Sequence, residues 1–277
     1  MTLRDQHVLI TGGSSGIGLA IAQRAAKAGA KISLVARDGA KLEQARNTIV
    51  AETPGAHVMV SSADVSVEGQ ILASLAAAEA SHGPIDVLIT SAGVARPGYF
   101  EEIPISVFER TMAVNYFGTV YPLKAVVPGM RKRGRGAVVL ISSGAGLVGL
   151  FGYTPYAPSK FALRGLAEAL RGELKGSGVQ VTIVYPPDTD TPQLVEENLT
   201  KPVETKALTA GGGLLSADAV ARATLEGLAR GKFAVTPGAQ LTILYWLQSI
   251  LAPYLNWDFD RIAARARRDA AKIPPGS

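Results

Sequence analysis

Short apolar runs separated by Ala/Leu-rich helical stretches constrain this chain more than any other feature. The runs lie at 7–11, 31–36, 57–61, 86–90, 137–142, 179–185 and 232–235. Each is apolar over consecutive residues rather than alternate ones, the pattern of strands buried on both faces. Between them, 16–28, 40–52, 67–81, 105–133, 155–175 and 217–230 read as helices. This alternation predicts an α/β fold of the Rossmann type: a doubly wound parallel sheet of about seven strands, helices on both faces and right-handed crossovers. No linker or internal repeat divides residues 1–236, which read as one domain. Two segments break the rhythm. Residues 186–215, which end at Gly211-Gly212-Gly213 with a single Leu pair after them, read as a long loop closing over a site. Residues 237–277 read as a helical tail, apolar and then basic.

Composition narrows the chemistry. With 47% hydrophobic and 18% charged residues in 277, the chain buries a large core and is not disordered. It has no cysteine, which removes disulfides, thiolate catalysis and Cys-based zinc sites. The three histidines, His7, His57 and His82, are isolated along the chain, so no metal centre is expected. A net charge of +5 suits an anionic cofactor or an anionic membrane surface. No nucleic-acid-binding motif accompanies it. The N-terminal MTLRDQHVLI lacks a basic-then-apolar leader, so no signal peptide is expected.

The first run feeds directly into Gly12-Gly13-Ser14-Ser15-Gly16-Ile17-Gly18 and then a helix. A glycine-rich turn in that context cradles a dinucleotide pyrophosphate. Gly12 permits a tight turn, Gly16 a close backbone approach, and Gly18 close packing of helix on sheet. The helix N-terminus offers free N–H groups to phosphate. At the end of the second run stand Arg37, Asp38 and Lys41. Arg37 offers a planar fork and Lys41 a second cation for a ribose 2′-phosphate, which favours NADPH over NADH. The alternative makes Asp38 the ribose ligand and Arg37 a solvated charge. Asp64-Val65, after the third run, suits an adenine contact; Asp64 also suits a helix N-cap.

The fifth run ends near Ser143, and Tyr156 and Lys160 follow four residues apart. On a helix that spacing places both on one face. A nearby ammonium is expected to lower the tyrosine pKa, making Tyr156 a proton donor to a carbonyl under reduction. Ser143 can bond the same oxygen as charge develops on it.

Together the 11–18 turn, Asn115, Ser143 and Tyr156-x-x-x-Lys160 resemble the short-chain dehydrogenase/reductase family over residues 5–236. The resemblance implies a catalytic tetrad of Asn115, Ser143, Tyr156 and Lys160. Tyr156 is then the acid/base, Ser143 the carbonyl orienter, Lys160 the ribose holder, and Asn115 the residue that places a relay water. It also implies a cofactor set of Gly12, Ser14, Ser15, Gly16, Ile17, Gly18, Arg37, Lys41, Asp64, Val65, Gly93 and Thr189, joined by Tyr156 and Lys160. One departure is Ser91-Ala92-Gly93, where most members have Asn-Ala-Gly; the sheet bracing usually given by that Asn has to be rebuilt.

Further stretches are similar to one branch of the family, which reduces the 3-keto group of a long-chain sphingoid base with NADPH. They are Tyr185-Pro186-Pro187-Asp188-Thr189-Asp190-Thr191-Pro192 and 196–205, with 115–122, 149–152 and 161–170. Asp188 and Asp190 then offer carboxylates for the substrate amine, or serve as loop caps. The alternatives are a reductase for a 3-oxoacyl, steroid or retinoid carbonyl and, more remotely, a non-catalytic nucleotide-binding protein. The tail carries AQLTILYWLQSILAPYL at 239–255 and then Arg261, Arg265, Arg267, Arg268 and Lys272. It reads as an interfacial anchor on the cytoplasmic side of a membrane. A dimer-interface helix and a true span are the other readings. The resemblance implies a homodimer or homotetramer.

Overall fold

The computed structural model describes residues 2–210, 213–270 and 272. Gly211 and Gly212 of the expected loop, and the last five residues of the tail, lie outside the described residues. The elements run β1 (His7–Thr11), α1 (Gly16–Lys27), β2 (Lys31–Ala36), α2 (Gly39–Glu52), β3 (Val58–Ser62), α3 (Glu68–His82) and β4 (Val87–Thr90). They continue with α4 (Ile105–Met112), a π turn (Ala113–Phe117), α5 (Gly118–Arg133), β5 (Gly136–Ile141), α6 (Tyr156–Glu173) and β6 (Val179–Val184). The last are β7 (Thr189–Asp190), α7 (Pro192–Thr200), α8 (Val203–Thr209), β8 (Leu215–Ser216), α9 (Ala217–Ala229), β9 (Ala234–Val235) and α10 (Ala239–Ala270).

Seven strands form one sheet in the order β3-β2-β1-β4-β5-β6-β9, and every pairing is parallel. Successive side chains point to opposite faces, and both faces are apolar. Val8, Ile10, Val87, Ile89 and Val139 face α1, α2 and α9, where they meet Ile21, Ala25, Leu42, Ile49 and Leu228. Leu9, Leu88, Val138 and Leu140 face α3, α5 and α6, where they meet Ile71, Leu75, Leu123, Met130 and Leu163. The chain winds outward from β1 on one side and from β4 on the other. A crevice therefore opens at their C-terminal ends, where such sheets bind ligands.

The structure departs from the sequence expectations in four places. The single helix expected over 105–133 is interrupted by the π turn at 113–117. The segment 186–215 is not a structureless loop. Thr191 caps α7, its Oγ1 accepting from Leu194 N at 3.3 Å, and Pro192 occupies the first turn. The pair β7–β8 closes the segment at its base. In the tail, one helix of 32 residues runs through Pro253 instead of two. Finally, His7 and His82 are not isolated, since their rings meet edge-on at 5.3 Å. Both ring nitrogens of His7 are engaged, by Gly83 O at 2.7 Å and Ser33 Oγ at 2.8 Å. Burial lowers the pKa of both histidines.

Helix α1 reaches the sheet only because residue 18 has no side chain: a Cβ there would strike the Gly12 carbonyl. Gly18→Ala is therefore expected to push α1 off its seat and to destabilise the protein by about 1–3 kcal/mol. A denaturant titration checks this, and an unchanged midpoint contradicts it.

Candidate active site

At the end of β1, Gly12 takes a φ of +70°, and a Cβ on it would lie 2.7 Å from Ala92 N. Gly16 takes a φ of +54°, and a Cβ there would lie 3.0 Å from Thr191 Cγ2. The turn is thus wedged between the end of β4 and the start of α7. Ser14, Ser15, Gly16 and Ile17 are half-buried around it. Ser15 caps α1 without a side-chain bond, and the first turn carries no acidic residue. The opening N–H groups of α1 keep their free valence and positive dipole end, as a bound phosphate requires. These residues fit a dinucleotide pyrophosphate.

At the end of β2 the guanidinium of Arg37 and the ammonium of Lys41 are exposed, and among the described residues no carboxylate pairs with either. The Arg37 backbone is fixed by Ser62 Oγ, which donates to its carbonyl at 2.8 Å. Asp38 caps α2, its Oδ1 accepting from Lys41 N at 3.0 Å. Asp64 does not cap α3, whose N-cap is Val67. Its carboxylate accepts instead from Ser66 N, Ser66 Oγ and Arg110 Nη2 at 2.9, 2.6 and 2.7 Å. Burial opposes its ionisation, but these bonds outweigh burial and hold its pKa at about 2. Val65 is buried against Gly118, where a Cβ would come within 2.6 Å of its Cγ2.

The bracing that Ser91 cannot supply comes from Thr11 and Asn115. Thr11 O accepts from Ser91 N at 3.1 Å and Thr11 Oγ1 from Ala92 N at 3.4 Å. Asn115, carried on the π turn, accepts from Val94 N at 2.9 Å and donates to Val94 O at 3.0 Å and Ser159 Oγ at 2.9 Å. Its amide thereby locks the segment after β4 to α6. Gly93 lies inside this clamp; a Cβ there would be 3.5 Å from Asn115 Oδ1 and 3.7 Å from Lys160 Nζ.

Tyr156 opens α6 and Lys160 follows one turn later, both buried. Lys160 Nζ donates to Ile141 O at 3.1 Å and stands 5.4 Å from the centre of the Tyr156 ring. Ser143 caps a short turn, its Oγ accepting from Ala145 N at 3.1 Å. The structure thus gathers Asn115, Ser143, Tyr156 and Lys160 at the ends of β4 and β5. The expected fall in the Tyr156 pKa is not what this arrangement gives. Burial, followed by the negative charge of Glu197, raises it, and bonding to Ser143 and Gln193 does not reverse the shift. Burial lowers Lys160 to about 8, with Glu197 pulling the other way.

Three residues of this site were given no role by the sequence: Tyr153, Gln193 and Glu197, the last of which lies within the stretch 196–205 noted above. Glu197 accepts from Tyr153 Oη at 2.8 Å and from Gln193 Nε2 at 2.8 Å. The i,i+4 spacing of Gln193 and Glu197 is a helix signal, but nothing in it says which way the pair faces. Among the described residues neither Asp188 nor Asp190 forms a hydrogen bond with the tetrad, although the charge of Asp188 adds to the upward shift of Tyr156. Asp188 pairs with the buried Lys201 at 3.3 Å, and Asp190 is exposed. Thr189 turns its hydroxyl to Pro187 O at 2.8 Å.

Comparison with known proteins places the chain in a family. The short chain dehydrogenase model fits residues 6–202. A 3-dehydrosphinganine reductase of Danio rerio is 43% identical over 256 residues, covering 91% of this chain and 77% of that protein. A 3-ketodihydrosphingosine reductase of Bos taurus is 44% identical, with the same coverage of 91% and 77%. Among solved structures, a short chain dehydrogenase/reductase from Burkholderia phymatum in complex with NAD has a TM-score of 0.82 at 24% identity, covering 92% of this chain and 96% of that one. That last likeness is one of fold. The family model and the two relatives carry the assignment: this chain belongs to the short-chain dehydrogenase family.

Proposed function

We propose that the protein reduces the 3-keto group of 3-ketosphinganine, a long-chain 2-amino-3-ketone, to the alcohol of sphinganine, with NADPH as the reductant. The observation that carries this reading is the 43% identity, over 91% of the chain, to a relative named for that reaction. The assembled tetrad supports it.

The bound nicotinamide supplies a hydride to the carbonyl carbon. Gly12, Ser14, Ser15, Gly16, Ile17 and Gly18 would hold the pyrophosphate, with Gly93 and Thr189 toward the nicotinamide end. Arg37 and Lys41 would take the 2′-phosphate, and Asp64 and Val65 would border the adenine. Tyr156, with its pKa raised, stays protonated at neutral pH and so stands ready as an acid. It gives its proton to the carbonyl oxygen, while Ser143 Oγ bonds that oxygen as charge develops. The Lys160 ammonium stabilises the tyrosinate left behind and would hold the ribose. Asn115 keeps the two elements in register and would place the relay water. Residues 1–236 form the catalytic unit in this reading, with 186–215 as the lid.

The alkyl tail has a route. A cleft lined by Leu147, Val148, Ala252 and Leu255, together with the polar Gln248, Ser249 and Asn256, lies between α10 and the loop after Ser143. The opposite face of α10 carries Ile243, Trp246, Leu247, Ile250, Tyr254 and Trp257, with Trp246 74% and Ile250 77% exposed. Helical periodicity continues that stripe through the exposed Arg261, Arg265 and Arg268. No helix among the described residues is long and apolar enough to cross a membrane. We assign the stripe to peripheral contact with an anionic membrane surface, apolar side chains in the interface and arginines at headgroup level. The homo-oligomer, dimer or tetramer, would form through other faces.

Three outcomes test this reading. Purified protein should oxidise NADPH in the presence of 3-ketosphinganine, followed at the nicotinamide absorbance band, and Tyr156→Phe should lower kcat about 10²–10⁴-fold. Arg37→Ala should weaken NADPH binding much more than NADH binding, whereas equal losses would remove the 2′-phosphate assignment. The protein should co-sediment with vesicles containing anionic phospholipid, and a Trp246→Glu/Ile250→Glu variant should not. Unchanged sedimentation, with the variant instead shifting the oligomer to monomer, would hand this face to a second copy.

A further inference from the structure

Glu197 is a carboxylate only 7% exposed, on the inner side of α7. Moving a charge out of water is unfavourable by several kcal/mol unless a counter-charge and hydrogen bonds replace the water (about that size in proteins). Its partners are neutral: the hydroxyl of Tyr153 on Oε2 and the amide of Gln193 on Oε1. An ionised carboxylate accepts at about four positions, so these two leave capacity for more donors. The basic residue placed to help is Lys201, one turn further along the chain. Lys201 is committed elsewhere, to Asp188 Oδ2 at 3.3 Å. Among the described residues no lysine or arginine forms an ion pair with Glu197. Lys160, the buried ammonium of the tetrad, donates to Ile141 O.

The Lys160 ammonium feels this charge but forms no ion pair with it, and the placement of the charge is specific. Tyr153, which bonds Glu197, has its ring 5.5 Å from that of Tyr156, centre to centre. Gln193 reaches the tetrad as well: its Oε1 lies 4.0 Å from a Cβ built on Gly93, the position that also neighbours Lys160 Nζ. The negative charge of Glu197 is felt at both Tyr156 and Lys160. Glu197 is thus linked to Tyr156 through one intervening side chain on each side, Tyr153 and Gln193.

We infer that Glu197, set by Tyr153 and Gln193, is the subsite that takes the ammonium of a 2-amino ketone and so determines specificity for cationic over neutral ketones. This rests on the reductase reading above for its substrate, and it moves the amine-binding role from Asp188 and Asp190 to α7. The ammonium fills the acceptor capacity that Tyr153 and Gln193 leave on the buried carboxylate.

The test compares 3-ketosphinganine with the long-chain 3-ketone of equal length that lacks the amine, in wild type and in Glu197→Gln. Glutamine keeps the shape and removes the charge. The ratio of the two kcat/KM values, amino ketone over neutral ketone, should fall by about 30-fold or more in the variant, the size seen when one partner of a buried charge pair is removed. Glu197→Asp, which keeps the charge, should recover part of the ratio. NADPH binding, read by nicotinamide fluorescence, tells a folded variant from an unfolded one; should Glu197→Gln not fold, Glu197→Asp and Tyr153→Phe are read for the same ratio. A ratio unchanged in every folded variant overturns the inference and leaves the reductase reading standing. Should wild type reduce neither ketone yet bind sphinganine, and Glu197→Gln lose that binding, the reductase reading fails and the ammonium subsite stands. Absence of both turnover and sphinganine binding overturns both.

Discussion

Lys160 is an ammonium buried to 4% exposure, and the surroundings that make this tolerable organise the rest of the site. A charge in that position needs hydrogen bonds and opposite charge close by, or it gives up its proton. The β5 strand supplies the first through the Ile141 carbonyl. Helix α7 supplies the second through Glu197. The result is an amine whose pKa falls only to about 8 and which therefore remains mostly cationic at neutral pH. Strand β5, helix α6 and helix α7 must all be in place for that balance to hold. The clamp of Asn115 on Val94 and Ser159 fixes the fourth side.

The same balance explains the direction in which Tyr156 is tuned. A phenol beside a lysine is expected to become more acidic, yet this one is pushed the other way by burial and by Glu197. For an acid that would protonate a carbonyl oxygen, the role proposed for Tyr156, that is a useful state, because the proton is present before substrate arrives. Stabilisation of the tyrosinate is then demanded only as the proton leaves. Glu197 thus opposes Tyr156 ionisation and supports Lys160 protonation in one arrangement, and a cationic ligand beside it would relax the first effect.

What the sequence made legible follows physical lines. Strands β1 and β2 were readable to the residue, because runs buried on both faces leave little freedom of boundary. The placing of the glycine turn, Ser143, Tyr156 and Lys160 together was legible because they stand at strand ends with local spacing, whereas Asn115 came only from the family resemblance. The π turn was not, since an apolar helix pattern over 105–133 continues through one extra residue without a break in composition. Asp64 was read as an adenine contact that also suits a helix cap, because an acidic residue just before a helix usually is one; here Arg110, 46 residues away, draws it into a different network. Glu197 was invisible for the same reason. Its significance is its burial, and burial of a charge is decided by Tyr153, Gln193 and the diversion of Lys201 to Asp188, all of them tertiary facts. The tail was divided after residue 255 into an apolar and a basic helix, although α10 runs through both.

Helix α10 joins the two halves of the functional reading. Its inner face carries Leu241, positioned 3.1 Å from a Cβ built on Gly144, and Tyr245, whose ring lies 5.7 Å from that of Tyr185. The C-terminal end is held by Arg267, which donates to Glu204 on α8 at 2.7 Å, and Glu204 also accepts from Tyr99 at 3.1 Å. One helix therefore packs against the loop after Ser143 at its start and against the lid near its end, while its outer face remains apolar. A substrate with a long alkyl tail loses most by crossing water between bilayer and active site, at roughly 0.8 kcal/mol for each CH₂ exposed. A helix with lipid on one side and the catalytic loop on the other removes that crossing. The head of the substrate could then reach Tyr156 and Glu197 while its tail stays in an apolar path along α10. The structural demand on such a helix is that its inner contacts be strong enough to hold it without burying its outer face. The Arg267–Glu204–Tyr99 network, in which Glu204 is buried and Arg267 exposed, meets that demand with polar contacts at one end, and the Tyr185–Tyr245 packing meets it with apolar contacts at the other.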